Sequence, residues 1–487
     1  MKYEYLIVGA GLGGLECGYW LAQKGHSVCV LEKNPQIGGC LQSFHRKGIS
    51  FDTGFHYVGG LAEGEILYQL FDQLNLLHLP WHQLDADCFD EVVWNGKSYP
   101  FANGYDAFAE KLSTFFPNQR QNILNYADFL RKSQPKMSDL MAPANPESSS
   151  FQMMATSAYQ FMNQMITDDT LRNVLCGTSL KMELRADTLP LYIFAQINGT
   201  FLQSAWRLKG RGAQIAESLA NDIRAFGGVV RTNCPVSGFE EKDGAIVAAL
   251  VRDERIECEH LIANIHPNAL FPLLPDNLLR KTYRRRISEL PNSTGMFTVN
   301  LKLKKNKVKY INHNLFVHDQ ADLWGVNPDA TEGIRSAGVH FAVPESADSV
   351  AHGPLFAENI DIFCPMKWSE VARWADSHIG KRGEEYESFK QKKAEEAIAL
   401  VSPYIPGFQE NIDEYFTSTP LTYRDYTGTF EGSAYGIRKD YDHLFLTMLP
   451  PKTPVSNLYF TGQNVNFHGV FGVTVSALQL VKGLIKE

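Results

Sequence analysis

No two cysteines of this chain lie within four residues of each other, so no CxxC pair is available for a metal or a dithiol. The eight are Cys17, Cys29, Cys40, Cys88, Cys176, Cys234, Cys258 and Cys364. A chain of 487 residues has no need of a disulfide scaffold, and we read them as reduced thiols. Long apolar runs are missing as well. Nothing approaches about 18 uninterrupted apolar residues, which excludes a spanning helix and leaves peripheral membrane contact open. Positive charge is not in excess. A net charge of -8 argues against a nucleic-acid partner, because phosphate neutralisation needs surplus Lys and Arg. No repeat or low-complexity tract is present. No charged leader with an apolar core and a small-residue cleavage site precedes the first apolar run, so a cytoplasmic protein is expected.

What is present is ordinary globular composition, 44% hydrophobic and 21% charged, with material for two or three domains. Residues 3–8 read as a strand entering Gly9-Ala10-Gly11-Leu12-Gly13-Gly14. Gly9 suits a tight turn, Gly11 lets backbone approach a pyrophosphate, and Gly14 lets the following helix pack on the strand. The helix that starts near Gly13 aims free N–H groups and its positive end at phosphate. A second strand, residues 27–31, ends in Glu32, a carboxylate placed to accept hydrogen bonds from a ribose. Strand, loop, helix, strand and acid in this order specify a dinucleotide site far better than the glycines alone. Near the other end, Leu458-Tyr459-Phe460 reads as a strand, Thr461-Gly462-Gln463-Asn464 as a turn and residues 473–481 as a helix. Between them, residues 61–195 read as mainly helical, with a breaker at Pro143-Ala144-Asn145-Pro146-Glu147-Ser148-Ser149-Ser150. Residues 212–226 read as an amphipathic helix with Ile215, Leu219 and Ile223 on one face, and residues 296–303 as a strand with Phe297, Val299, Leu301 and Leu303 in a core.

Gly38-Gly39, six residues beyond Glu32, resembles the extended nucleotide motif of glutathione-reductase-like flavoproteins, and the C-terminal strand–turn–helix resembles the element that closes over their flavin. More specifically, Gly38-Gly39-Cys40-Leu41-Gln42-Ser43-Phe44 and Phe51-Asp52-Thr53-Gly54-Phe55-His56-Tyr57-Val58-Gly59 resemble the retinol saturase branch of the phytoene desaturase and carotenoid isomerase family. Thr419-Pro420-Leu421-Thr422 with Arg424, Gly432, Tyr435 and Gly436 is similar to a later block of that family. The run from Phe460 through Gly469, Gly472 and Ser476 is similar to its flavin-closing block. One departure is Asn464, where the family has an acid; an amide oxygen still accepts a hydrogen bond.

The resemblance implies an α/β protein: a glutathione-reductase-like, Rossmann-type FAD-binding domain with an inserted mixed α+β substrate domain. We expect residues 1–65, 200–270 and 416–487 to bind FAD, and residues 66–199 and 271–415 to bind substrate. The expected cofactor-binding residues are Gly9, Gly11, Gly13, Gly14, Glu32, Lys33, Gly38, Gly39, Val236, Gly462, Asn464, Gly472 and Val473. The implied chemistry is saturation, desaturation or isomerisation of carbon–carbon double bonds in an apolar polyene or isoprenoid, saturation being preferred. His56, Tyr57 and His468 are the candidates to supply the proton such chemistry needs, or else pack and bond at the flavin edge. Only one complete GxGxxG occurs, so the electron donor or acceptor, NAD(P)H or a quinone, is expected to be transient.

Two weaker features stay open. Seven of the eleven methionines, Met137, Met141, Met153, Met154, Met162, Met165 and Met182, suit either a tunnel wall or a helical core. Residues 280–309 hold ten basic side chains and one acid, Glu289, and suit either anionic headgroups on the inner face of a membrane or a solvated helix end and hairpin. His78 and His82 have helical metal-pair spacing, but Pro80 between them argues against the helix, and no metal site is expected. A flavoprotein amine oxidase and a non-catalytic lipid-binding protein of the same fold are the rival readings.

Overall fold

The run Tyr5-Leu6-Ile7-Val8 has no polar alternation, as a strand covered on both faces requires. In the computed structural model, which describes residues 2–141, 147–325, 333–345 and 354–485, it lies in the central strand Lys2–Val8. Val28–Leu31 and Glu254–Ala263 flank it, both parallel. Val229–Arg231 adds beyond the first of these and Leu458–Phe460 beside the second, again parallel. Glu254–Ala263 also closes an antiparallel meander with Ala245–Val251 and Val236–Lys242. The register puts Val8 level with Leu31 and Ala263, and Ala263 level with Phe460. Four chain segments therefore leave the sheet at one edge, through Gly9, Glu32, Asn264 and Thr461. That carboxyl-end crevice is where open α/β sheets bind ligands.

The helix Leu12–Gln23 packs between Ala213–Ala225 and the closing helix Gly469–Ile485. Ile215, Leu219 and Ile223 are fully buried, as their spacing predicts.

A second sheet has the order Ile412–Ser418, Gly295–Leu303, Asn359–Met366, Ser336–Phe341, Asn314–His318, Asp90–Trp94, Lys97–Phe101. All neighbours are antiparallel except Asn314–His318 with Asp90–Trp94. Phe297, Val299, Leu301 and Leu303 join Leu315, Val317, Val339, Ile360 and Ile362 in one apolar core beneath the helix Glu384–Val401. The alternate residues face the other way, toward the dinucleotide unit.

Residues 61–195 are less helical than expected. They contain the strands Trp81–Gln83, Asp90–Trp94 and Lys97–Phe101. The hairpin between the last two turns on Asn95 and Gly96, with φ of 47° and 83°, the Asn-Gly pair that favours a tight two-residue turn. His82 lies on a strand and bonds Asn312. Pro143-Ala144-Asn145-Pro146 lies outside the described residues.

Candidate active site

The crevice at the strand ends holds a glycine cradle. Gly9 has φ of 99°, and a Cβ there would lie 2.6 Å from the Asn264 carbonyl oxygen. A Cβ on Gly14 would run into the Gly9 carbonyl oxygen, and one on Gly13 would meet the Val473 side chain at 3.1 Å. Gly38 and Gly39, at φ of 113° and 57°, bring a second backbone segment up to Gly11. The helix behind begins at Gly11 with no side-chain cap, so its first N–H groups point at the opening. Glu32 is 7% exposed. Its two carboxylate oxygens accept the Ala10 and Asn34 backbone N–H groups, each at 3.0 Å, which fixes the carboxylate beside the cradle. The Cys234 N–H donates to the Glu32 carbonyl, bringing the start of Val236–Lys242 alongside. These features fit a dinucleotide: bare backbone and an uncapped helix end for the pyrophosphate, and a buried acid for the ribose.

A cavity of about 350 Å³ runs from this cradle into the space between the two sheets. Gly11, Gly13, Gly38, Gly39, Gly462, Asn464 and Val473 line it, as do His56, Tyr57 and His468. Gly9, Gly14, Glu32, Lys33, Val236 and Gly472 do not. Gly9 and Gly14 act as spacers behind the wall. A Cβ on Gly472 would collide with the Phe467 carbonyl oxygen, so this glycine lets the closing helix seat on its own turn. Lys33 is exposed, near Gly428, and Val236 is half-buried at a strand start.

Asn264 was not anticipated. It follows the apolar run Leu261-Ile262-Ala263 as Gly9 follows its own strand. Its side-chain amide donates to the Gly9 carbonyl at 3.1 Å, and the residue lines the cavity. At the opposite wall, the Asn464 Oδ1 accepts the Ile437 N–H at 3.0 Å, which leaves the amide nitrogen to the cavity. The Asn464 carbonyl accepts from Lys439 Nζ at 2.8 Å. Lys439 is buried on three carbonyl oxygens, and burial lowers its pKa to about 7.

The far end of the cavity is built by the second sheet. Across its inner face, Asn300 stands opposite Asp361 and Asp361 opposite His340, while Asn314 stands opposite Asp90. Asp90 is fully buried. Its carboxylate accepts from the Tyr57 hydroxyl at 2.8 Å and the Asn314 amide at 2.6 Å, and pairs with Lys181 Nζ at 3.3 Å. Arg207, also buried, donates to the Phe341 carbonyl and to the Asn314 side chain.

The three proton candidates thus differ in what occupies them. Tyr57 is engaged by Asp90, and burial raises its pKa well above the ordinary phenol value. His468 packs on Tyr435 with ring centroids 4.3 Å apart, and its Nε2–H donates to the Lys181 carbonyl at 3.0 Å; burial lowers it to about 4. His56 stacks on Phe363 at 5.1 Å and lies 4.4 Å from the His340 ring. Burial, with the Arg207 charge, lowers His56 to about 3, so it is a neutral imidazole at pH 7.

Of the grouped methionines, Met137, Met153, Met154, Met162, Met165 and Met182 do not line this cavity, and among the described residues the methionine that does is Met296. Met154, Met162 and Met182 are buried in the helical core. Their spacing reflects helix packing, and a tunnel wall here is made instead by Phe201, Ile197, Leu67 and Phe363.

Residues 12–332 match the family model described as flavin containing amine oxidoreductase. All-trans-retinol 13,14-reductase of Homo sapiens is 25% identical over the whole of this chain and 86% of its own length. The lycopene-forming phytoene desaturase of Pantoea ananas is 22% identical over 99% of this chain and 98% of its own. Among solved structures, an oxidoreductase from Methanosarcina mazei superposes over 100% of both chains with a TM-score of 0.66 at 18% identity, a likeness of fold. A flavin family and a dinucleotide cradle together specify FAD. The chain belongs to the flavin-containing amine oxidoreductase family and is an FAD-dependent oxidoreductase.

Proposed function

We propose that this enzyme acts on carbon–carbon double bonds of a neutral polyene or isoprenoid, saturation being the favoured direction. The observation that carries this is the lining of the cavity. Among its described lining residues there is no aspartate or glutamate, and Leu67, Ile197, Phe201, Met296 and Phe363 supply apolar wall beyond the cradle, beside neutral polar residues such as Gln196 and Thr200. A protonated amine entering such a space would meet Lys181 and no counter-ion, at a desolvation cost of several kcal/mol, ~5 or more. A long apolar chain gains about 0.8 kcal/mol per buried methylene.

Bound FAD would supply two-electron hydride chemistry. Gly11, Gly13, Gly38, Gly39, Gly462, Asn464 and Val473 hold it, with Glu32, and Lys33 and Val236 nearby, at the adenosine end. His56 exchanges the proton with the substrate carbon. Tyr57, whose hydroxyl is held by Asp90, and His468, whose Nε2 is held by the Lys181 carbonyl, fix the aromatic wall and the Lys181 loop. Residues 1–65, 200–270 and 416–487 carry the cofactor, and residues 66–199 and 271–415 shape the substrate. NAD(P)H or a quinone exchanges electrons transiently. An apolar substrate stays in a bilayer, so a cytoplasmic enzyme meets it by peripheral contact. Exposed Lys281, Arg285, Lys305 and Lys307 support that contact, although Arg284 and Lys302 of the same stretch are engaged by carbonyls and by Asp413.

The test is anaerobic mixing of the reduced, FAD-loaded enzyme with all-trans-retinol or lycopene, following flavin and polyene absorbance. Reoxidation of the flavin with loss of polyene absorbance is expected. Flavin reduction by primary amines, with no reaction toward either polyene, would overturn the proposal in favour of amine oxidation.

A further inference from the structure

Beside the main cavity lies a second one of about 330 Å³ with a different character. Asp52, Arg207, Arg211 and Asp361 line it, and the exposed Glu345 and Glu358 at its rim open it to solvent. Three residues line both cavities: Phe55, His56 and His340. Two of the three can carry a proton.

We propose that His56 and His340 form the proton port of the active site, passing a proton between the polar cavity, where Asp361 stands, and the substrate carbon. The inference rests on the reading of the main cavity as a site of carbon–carbon double-bond chemistry.

His340 is 4% exposed, and neither of its ring nitrogens has a hydrogen-bond partner among the described residues. Leaving a buried polar group unpaired forfeits the hydrogen bonds it makes in water. Among the described residues, the two other buried histidines have partners at both ring nitrogens. His318 bonds Ser336 and the Gly177 carbonyl, and His266 bonds Asn292 and the Asn268 N–H. His340 thus keeps two open nitrogens where two cavities meet. The strand register puts Asp361 directly across from it, and directly opposed side chains share a face with Cβ atoms about 5 Å apart.

Every element packed on His340 contributes to its state. His56 and Tyr57 come from the loop before Val58–Gly59, Arg207 from Ala205–Leu208, Lys181 from the turn Ser179–Lys181, and Asp361 from the neighbouring strand. Burial, with the Arg207 and Lys181 charges, holds the His340 pKa well below its ordinary value. A neutral imidazole accepts at one nitrogen while donating from the other, so it relays a proton without storing one. Asp361 has the complementary property. Its Oδ1 accepts from the Asn300 amide at 2.7 Å, and burial raises it to about 7, so near neutral pH it is both donor and acceptor.

The balance is as follows. Saturating one double bond takes up a hydride with its electron pair, which bound reduced FAD would supply, and one proton. At the proton-receiving carbon, the former π pair forms the new C–H bond as the His56 N–H bond breaks. In the same movement His56 takes a proton at its other nitrogen from His340, His340 takes one at its other nitrogen from Asp361, and Asp361 is reprotonated from water in the polar cavity, so neither ring passes through an anion. A nicotinamide or reduced quinone replaces the two electrons. Dehydrogenation runs the same proton path outward, with a two-electron acceptor.

Two measurements separate the port from the substrate reading. The first needs no substrate. In FAD-loaded protein labelled with ¹⁵N-histidine, the side-chain N–H groups of His56 and His340 are expected to exchange with water within milliseconds although buried. Asp361→Asn should slow that exchange at least tenfold. Slow exchange in the parent protein, or exchange indifferent to Asp361→Asn, overturns the port. The second is reoxidation of the reduced enzyme by all-trans-retinol in ²H₂O. His340→Gln should slow it at least a hundredfold with retinol affinity within threefold of the parent, and Asp361→Asn should lower it and shift its pH profile. A His340→Gln rate within twofold of the parent also overturns the port. If the parent exchanges fast but no polyene reoxidises it, the substrate reading fails and the port stands.

Discussion

Replacing Asp90 by asparagine keeps the side chain's shape and removes its charge. The carboxylate is fully buried and receives the Tyr57 hydroxyl, the Asn314 amide and Lys181 Nζ, the last at 3.3 Å. At an effective permittivity of about 20 the attraction lost between unit charges at that distance is about 5 kcal/mol. The rings of Phe201 and Tyr57, 4.0 and 5.3 Å from the Lys181 ammonium, hold that cation in parent and variant alike and offset none of this loss. The amide also presents a donor toward one of three existing donors. We expect Asp90→Asn to lose about 3–5 kcal/mol, the usual cost of stranding one member of a buried pair. Urea unfolding at pH 7 and fixed excess FAD reads it. The loss should depend on pH. Burial already lowers the Lys181 pKa, and Asp90 opposes that effect. Without Asp90 the folded-state value falls further below the unfolded one. In between, the unfolded chain binds more protons, so the variant gains stability as pH rises toward 10. Asp90→Asn combined with Lys181→Met removes the stranded cation and should recover most of the loss. A single-variant loss below about 1 kcal/mol, or a double variant no more stable than the single, would refute this account of the cluster.

Gly11→Val should leave the sheet intact and abolish FAD retention, because its side chain projects into the cradle beside the Asn264 amide; flavin absorbance after gel filtration reads it. Asn464→Asp should retain FAD with equal or higher affinity, since one oxygen can still accept the Ile437 N–H while the other meets the cofactor; loss of colour would show a site that depends on the amide donor. Asp361→Asn should flatten part of the pH dependence of stability. Folding raises this carboxyl from about 4 to about 7, so between those values the native state holds the extra proton and parent stability falls as pH rises. Urea midpoints at pH 4.5 and 7.5 that change equally in parent and variant would refute it.

The cofactor end was readable because its constraints are local. A positive φ at Gly9, the approach of Gly14 to the Gly9 carbonyl and a buried acid at a strand end each leave a mark within a few residues. Asn264 carries the same mark, a polar residue closing an apolar strand, without a glycine motif to draw attention to it. The chamber was harder to read for a different reason. Period-two alternation in residues 296–303 identified the apolar face correctly, yet what the opposite face meets depends on strand order. Asp90, Asn314, His340 and Asp361 come together only through the pairing of four strands separated by up to 271 positions. The same alternation occurs in Asn314-Leu315-Phe316-Val317-His318 and Asn359-Ile360-Asp361-Ile362-Phe363, and polar residues at every second position of apolar strands were the available signal. Asn95-Gly96 was a missed hairpin signal of the ordinary local kind.

That alternation also explains how one sheet can serve an apolar substrate and a proton. Its outer face packs an apolar core beneath the helix Glu384–Val401, so the packing that holds the sheet lies on that side. The inner face is therefore free to carry groups that contribute little to packing. They are sorted by row. One row, Thr298, Phe363, Gly338 and Phe316, supplies aromatic surface, with the Phe363 ring lying where a side chain on Gly338 would stand. The next row, Asn300, Asp361 and His340, supplies polar groups. His340 lies in the polar row and contacts the Phe363 ring of the aromatic row at 4.7 Å, so the two rows meet at an imidazole. An imidazole is the side chain that an apolar chamber tolerates neutral and a polar one can protonate. Moving the polar residues one position along either strand would turn them into the apolar core, at the full cost of burying unpaired charge. The position of the proton donor is in this way fixed by the register that folds the sheet.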